Sequence, residues 1–163
     1  TIDIVKQVLS NISDFTSTSF MVSFSAMKDI TTKHAGQKPE EKYLFHGTDT
    51  KDIATAICHQ NFDPRLHGKN ATVYGMGAYF ARDASYSDNY AQPDQGKCYM
   101  FLAKVLVGKY TKGDNTMRRP PALSKDSLDL YDSCVNDMKN PAIFVIFDNN
   151  QCYPCYKIVY RKT

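Results

Sequence analysis

At 163 residues, 42% hydrophobic and 23% charged, the chain has the size and composition of one ordinary globular domain with a single core. A net charge of +3 is too small to single out nucleic acid or a membrane surface as the main partner, and no apolar run approaches the ~20 residues that span a bilayer. The five cysteines, Cys58, Cys98, Cys134, Cys152 and Cys155, are odd in number and scattered, which excludes a secreted disulfide framework and points to reduced thiols in the nucleus or cytoplasm. Thr1 follows no initiator methionine and no signal peptide is visible, so a piece of a longer intracellular protein is expected.

In chain order, Ile2, Val5, Val8, Leu9 and Ile12 fall at helical spacing with Asp3 in the first turn, the alternative being a short strand over 2–5. A second helical stripe comprises Phe20, Phe24, Met27 and Ile30, and residues 34–41 form a polar connection. Residues 42–47 (KYLFHG) predict a short apolar strand ending at a histidine and a glycine. Residues 50–59 predict a helix capped by Asp49 or Thr50, with Ile53, Ala54 and Ile57 on one face. A loop over 62–72 follows, then a brief strand over 77–81 and a helical turn over 83–90. Residues 99–110 predict one strong buried strand, and residues 112–127 a proline-rich basic loop holding Arg118 and Arg119. Residues 142–147 and 153–160 complete the strands. Short turn-bounded runs without strand–helix alternation predict an antiparallel α+β fold.

The stretch YGMGAYFARDASYSDNY (74–90) poses the functional question. A dinucleotide loop needs G-x-G-x-x-G after a strand. Here Phe80 stands at the third glycine and the preceding residues are polar, so that reading fails. Tyr79, Tyr86 and Tyr90 are instead spaced to flank a flat ring, with Ser85 or Ser87 supplying a hydroxyl; the competing use is a tyrosine-rich core boundary. His46, closing an apolar strand before Gly47, is suited to present a ring nitrogen to a cleft, the competing reading being a histidine satisfied in the core. The motif Cys152-Tyr153-Pro154-Cys155 runs into strand-like alternation rather than a helix start, so unreactive thiols are expected, and no second cysteine or histidine pair completes a metal site. The acids lie mostly in turns (Asp63, Asp83, Asp88, Asp114, Asp132, Asp148), none in an apolar strand where a raised pKa is expected. The residues alone describe a cleft with a histidine and tyrosines for a flat polar ligand.

YLFHGT (43–48), GMGAYFARDASYSDNY (75–90), MFLAKVLVGKYTKG (100–113), LYDSCV (130–135) and NPAIFVIFDNNQCYP (140–154) occur in an order that resembles the catalytic domain of poly(ADP-ribose) polymerases, the diphtheria-toxin-like ADP-ribosyltransferases. The resemblance runs from about residue 41 to 160 and is weak over 1–38. Within the family it is similar to the mono-ADP-ribosylating branch, particularly CCCH zinc finger or WWE-containing members such as the dioxin-inducible one. It implies one catalytic domain over 1–163 with two packed, mainly antiparallel sheets and a few flanking helices.

It also implies an enzyme that cleaves the nicotinamide–ribose bond of NAD+ and passes one ADP-ribose to protein side chains, itself included. The alternative is a silent NAD-binding or protein-interaction module. By resemblance, the catalytic set is His46, Tyr79 and Ile143, and the NAD+-binding set His46, Gly47, Thr48, Tyr74, Tyr79, Ala81, Ser87 and Tyr90, without a metal. His46 would hold the adenosine ribose, the Gly47 backbone and Ser87 hydroxyl the carboxamide, Tyr90 and Tyr79 the two sides of the ring, and a loop over 61–74 would close the cleft. Polymerising members carry a glutamate where Ile143 stands. Met76 replaces a frequent Lys or Gln, and the family's helical regulatory subdomain is missing. The expected partners are acceptor proteins, without nucleic acid or membrane, and the domain is expected to be monomeric.

Overall fold

The computed structural model describes residues 8–11, 18–63 and 72–162. Among them the elements are β1 (Val8–Asn11), α1 (Thr18–Ala35), β2 (Glu41–Thr48), α2 (Lys51–Gln60), β3 (Ala78–Ala81), α3 (Ala84–Asp88), β4 (Cys98–Leu106), β5 (Tyr110–Lys112), β6 (Ser133–Val135), β7 (Ile143–Ile146), a 3-10 turn (Asn149–Gln151) and β8 (Cys152–Tyr160). The strands form one sheet in the order β1-β8-β4-β2-β3-β7-β6-β5, antiparallel except for β5 with β6. β2 and β3 share a single residue pair, Phe45 with Ala81. In place of the two packed sheets expected, the strands thus form one continuous sheet that narrows at this joint, and strands on both sides of it contribute to the larger core cluster.

α2 begins where Thr50 accepts the Ile53 N–H on its side-chain oxygen at 3.2 Å, and buries Ala54, Ile57 and Cys58. It ends at Asn61, whose φ of 64° turns the chain out of the helix. α1 lays Phe24 against Tyr153 of β8, ring centroids 6.2 Å apart, while Met21, Val22 and Ile30 stay exposed. β4 lies between β2 and β8, and most of its residues are buried on both faces, so alternation is lost. A register shift lets Pro154, which has no N–H to donate, sit opposite Ala103. The core centres on Leu44, Ile57, Phe62, Phe80, Phe101 and Phe144, each burial contributing about 1.5–3 kcal/mol.

Two further expectations are corrected. Residues 8–11 do not continue a helix but pair with β8, Val8 opposite Val159 through Asn11 opposite Tyr156. An isolated helix shorter than ~12–15 residues is marginal, whereas the edge of β8 offers a complete backbone ladder. The remainder of that expected helix lies outside the described residues. The strand expected to run from 99 to 110 ends at Leu106, because Gly108 turns at φ +50° and Tyr110 starts β5. A Cβ at Gly108 would stand 2.2 Å from Asp132 Oδ2, so only glycine fits. β6 had no counterpart among the expected elements.

Cys152 and Cys155 lie in β8, and all five cysteines are free thiols. Burial pushes Cys58, Cys98, Cys152 and Cys155 up, and Cys134 to about 11. Among the described residues, no three His, Cys, Asp or Glu side chains could hold a metal, and no helix is long and apolar enough to cross a membrane.

Candidate active site

β2 alternates over its last turns, placing Leu44, His46 and Thr48 on the buried face. The His46 ring packs against Phe62 at 5.1 Å and Phe80 at 5.4 Å between centroids. Its Nδ1 lies 2.7 Å from the Tyr79 carbonyl oxygen. A carbonyl can only accept, so Nδ1 carries the proton and, in the neutral ring, Nε2 is the acceptor. The histidine is thus both core-packed and fixed in tautomer by β3.

Gly47 answers a different demand. A Cβ there would stand 2.0 Å from the Ser87 carbonyl oxygen and 3.4 Å from the Ala91 nitrogen. α3 therefore rests directly on the β2 backbone. Ser87 is buried and donates its hydroxyl hydrogen to the Phe45 carbonyl at 3.0 Å. With its proton committed there, the Ser87 oxygen can only accept from a ligand. Thr48 is buried and its hydroxyl donates to Thr50 O at 3.4 Å, towards the start of α2.

Tyr79 is half-buried, and its hydroxyl is engaged twice. It donates to the Gly75 carbonyl at 2.8 Å and accepts the Tyr74 N–H at 2.9 Å. Burial pushes the phenol up, the Tyr74 bond opposing, so the group stays a donor. The glycine turn around 74–77 is thereby tied to β3. Gly113 closes on it so tightly that a Cβ would meet Tyr74 O at 2.0 Å, and Met76 N–H donates to Met117 O at 2.8 Å. That last bond brings the exposed Arg118 and Arg119 beside the same turn. Tyr86 and Tyr90 join hydroxyl to hydroxyl at 3.0 Å, with ring centroids 5.4 Å apart. Burial, then the bond to Tyr90, pushes the Tyr86 phenol up.

Ile143 opens β7 opposite Ala81, which is also the partner of Phe45. Cross-strand partners project to one face, so β2, β3 and β7 contribute one row: Phe45, Ala81, Ile143. Ile143 is 6% exposed, and the Asn136 side chain accepts its N–H at 2.9 Å. The fold therefore gathers His46, Gly47, Ser87, Tyr79, Ala81 and Ile143 around the β2–β3 joint, from motifs nearly 100 positions apart. Of the expected closing loop, residues 64–71 lie outside the described residues.

Several participants escaped the sequence reading. Phe62 and Phe80 hold the histidine, Gly113 makes room for Tyr74, and Asn136 sets the start of β7. Phe80 and Gly113 lie within stretches that carry the resemblance but had no such role there, and Phe62 and Asn136 lie outside those stretches. Asp132, grouped with the turn acids, is buried enough for desolvation to push its carboxyl up while it accepts the Lys109 N–H at 2.7 Å.

The profile of the poly(ADP-ribose) polymerase catalytic domain matches residues 6–128. The chain belongs to that family. Protein mono-ADP-ribosyltransferase PARP12 of Mus musculus is 48% identical over 128 residues, 78% of this chain and 18% of the relative. Protein mono-ADP-ribosyltransferase PARP11 of Homo sapiens is 44% identical over 138 residues, 72% of this chain and 40% of the relative. Human PARP14, also named a protein mono-ADP-ribosyltransferase, is 40% identical over 144 residues, 86% of this chain and 8% of its own. The chain thus spans under a fifth of the length of PARP12. The crystal structure of the PARP domain of Arabidopsis RADICAL-INDUCED CELL DEATH1 superposes with a TM-score of 0.74, covering 100% of this chain and 89% of that one at 19% identity. The α+β fold is that of this PARP domain, and the relatives fall in the mono-ADP-ribosylating branch.

Proposed function

We propose that this PARP domain is a protein mono-ADP-ribosyltransferase that consumes NAD+ as substrate and modifies protein side chains, its own included. The observation that carries the reading is the β2–β3 joint, where His46 is locked by the Tyr79 carbonyl, Gly47 admits α3, and Ile143 completes the row. The donor set suits the substrate. By resemblance His46 would hold a ribose hydroxyl, and the Ser87 oxygen suits a carboxamide N–H. Tyr90, steadied by Tyr86, offers a ring face to nicotinamide.

In the reaction the C1′–N bond breaks with its electron pair leaving on the nicotinamide nitrogen, through an oxocarbenium-like ribose. The acceptor oxygen or sulfur forms the new bond to C1′, and its proton is released. These residues act by orientation, holding the ring so that the breaking bond is presented to an acceptor. Ile143 carries no charge, so it can neither stabilise the cation nor activate the hydroxyl of a second ADP-ribose. Transfer stops at one unit and depends on the acceptor's own nucleophile. The exposed Arg118 and Arg119, tethered beside the glycine turn through Met117, are placed to meet acidic stretches of acceptor proteins.

Incubation with labelled NAD+ tests the reading. A discrete label on the protein, lost in His46→Ala, is the expected result. A ladder of lengthening products sinks single-unit transfer, and NAD+ binding without any label points to a silent NAD-binding module.

A further inference from the structure

α3 spans only five residues, and Asp83 before it makes no side-chain cap. So short a helix has almost no stability of its own, and its orientation is set by what it touches. Ser87 lies against Gly47 and Phe45. At its C-terminal end stands a second cluster, of which only Asp88 falls within a stretch quoted for the resemblance. Asp88 Oδ1 accepts the Tyr160 hydroxyl, and Oδ2 faces Lys162 Nζ at 3.3 Å. The Asp88 backbone carbonyl also accepts Lys162 Nζ, at 2.7 Å, and the Ala91 N–H at 3.1 Å. Tyr160 is 4% exposed and pairs with Cys98 of β4, so the anchor is part of the sheet. Burial, then the Asp88 carboxylate, pushes the Tyr160 phenol up, which keeps it a donor at neutral pH.

We propose that Asp88 is a positioning residue for the nicotinamide end of the substrate. Through Tyr160 and Lys162 it ties α3, and with it Ser87 and Tyr90, to the end of β8. The inference rests on the NAD+ reading above and deepens it. Asp88 acts through its neighbours in sequence: Ser87 precedes it, and the turn that carries Tyr90 closes on the Ser87 and Asp88 carbonyls. The aspartate thus ties α3 to β8, two strands away from the Gly47 contact on β2 and on the same face of the sheet. Nothing in the cluster bears on the adenosine end, which His46 serves from β2. The two ends of the substrate should therefore respond separately.

Titration calorimetry with two probes, benzamide for the carboxamide ring and ADP-ribose for the remainder, tests this on wild-type protein, Tyr160→Phe and Asp88→Asn. Each substitution is expected to weaken benzamide about tenfold, as loss of one charge-assisted bond predicts, and to leave ADP-ribose within about twofold. KM for NAD+ should rise with the benzamide Kd. Where Asp88→Asn does not fold, Tyr160→Phe, which removes one hydroxyl, carries the test alone. Unchanged benzamide affinity overturns the assignment. So does a parallel loss of both probes, which general loosening of the fold would produce. Wild-type protein that binds neither probe sinks the NAD+ reading, and the latch with it; wild-type binding with indifferent variants sinks the latch alone.

Discussion

Gly47→Ala isolates the contact on which the nicotinamide end of the site depends. The added Cβ would stand 2.0 Å from the Ser87 carbonyl oxygen and 2.9 Å from its carbon, both backbone atoms that no rotamer change can clear. Real Cβ contacts essentially never fall below 3.0 Å, so α3 must retreat by at least 3.0 − 2.0 = 1.0 Å. Overpacking of this kind costs about 1–3 kcal/mol, a fall in Tm of roughly 2–12 °C for a domain of this size. The effect on turnover should be far larger than the effect on stability. Ser87 and Tyr90 move with the helix, and a misplacement of ~1 Å in an orienting site costs about 10²-fold. Gly36→Ala supplies the comparison. At φ +68° with nothing within 4 Å, it adds only backbone strain of about 1 kcal/mol and should leave turnover unchanged. Melting curves and initial rates of label transfer from NAD+ on the two variants decide the matter. Wild-type rate and Tm in Gly47→Ala would show that α3 does not bear on β2 as described.

Asn61→Ala should destabilise the domain by about 3–5 kcal/mol in denaturant titrations, because three hydrogen bonds of a buried side chain are lost and alanine is strained at its positive φ. The Asn61 amide donates to Asn149 O and Cys152 O, and its oxygen accepts the Phe62 N–H; Asn61→Gly, which tolerates the positive φ, should recover only the strain. Burial raises the Asp132 carboxyl above its unfolded value, with the Lys109 amide and ammonium opposing. Its contribution is therefore fully favourable below the unfolded pKa of about 3.9 and is lost as pH rises through the folded one. Asp132→Asn should accordingly gain stability relative to wild type between pH 4 and pH 7, and the opposite slope refutes the assignment. An aromatic disulfide reagent at pH 8 should react with native Cys155 first, since the other four thiols are buried. With Cys134 raised to about 11, roughly one molecule in a thousand carries that thiolate at pH 8, and unfolding should equalise the rates.

The sequence was most legible where periodicity and local chemistry agreed. The apolar run before His46 became β2, and Thr50 caps α2 as its position suggested. It was least legible where partners lie far apart. Residues 8–11 have helical spacing but are recruited by the edge of β8, and β5 and β6, three residues each, have no pattern long enough to read. In the site, Tyr79, Tyr86 and Tyr90 stand out in the sequence as a cluster with Ser85 or Ser87, and resemblance rather than spacing nominates Ser87 and Ile143. What no local pattern could reveal is that the Tyr79 carbonyl, rather than a side chain, fixes His46, and that the Tyr79 hydroxyl serves the glycine turn. The CxxC motif lies in β8, in line with the strand alternation that follows it.

The single pair between β2 and β3 has a consequence for the life of the protein outside its chemistry. Past Phe45, residues 46–48 of β2 still pair with β4 but have no β3 partner. On either side of that one pair an interior strand thus becomes an edge of the kind that recruits strands from other chains and seeds aggregates. α3 packs over the face of this stretch at Gly47, near enough that only a glycine fits beneath it. The covering helix is therefore also a guard against misassembly, and substitutions that lift it should show themselves as loss of solubility on storage as well as loss of turnover.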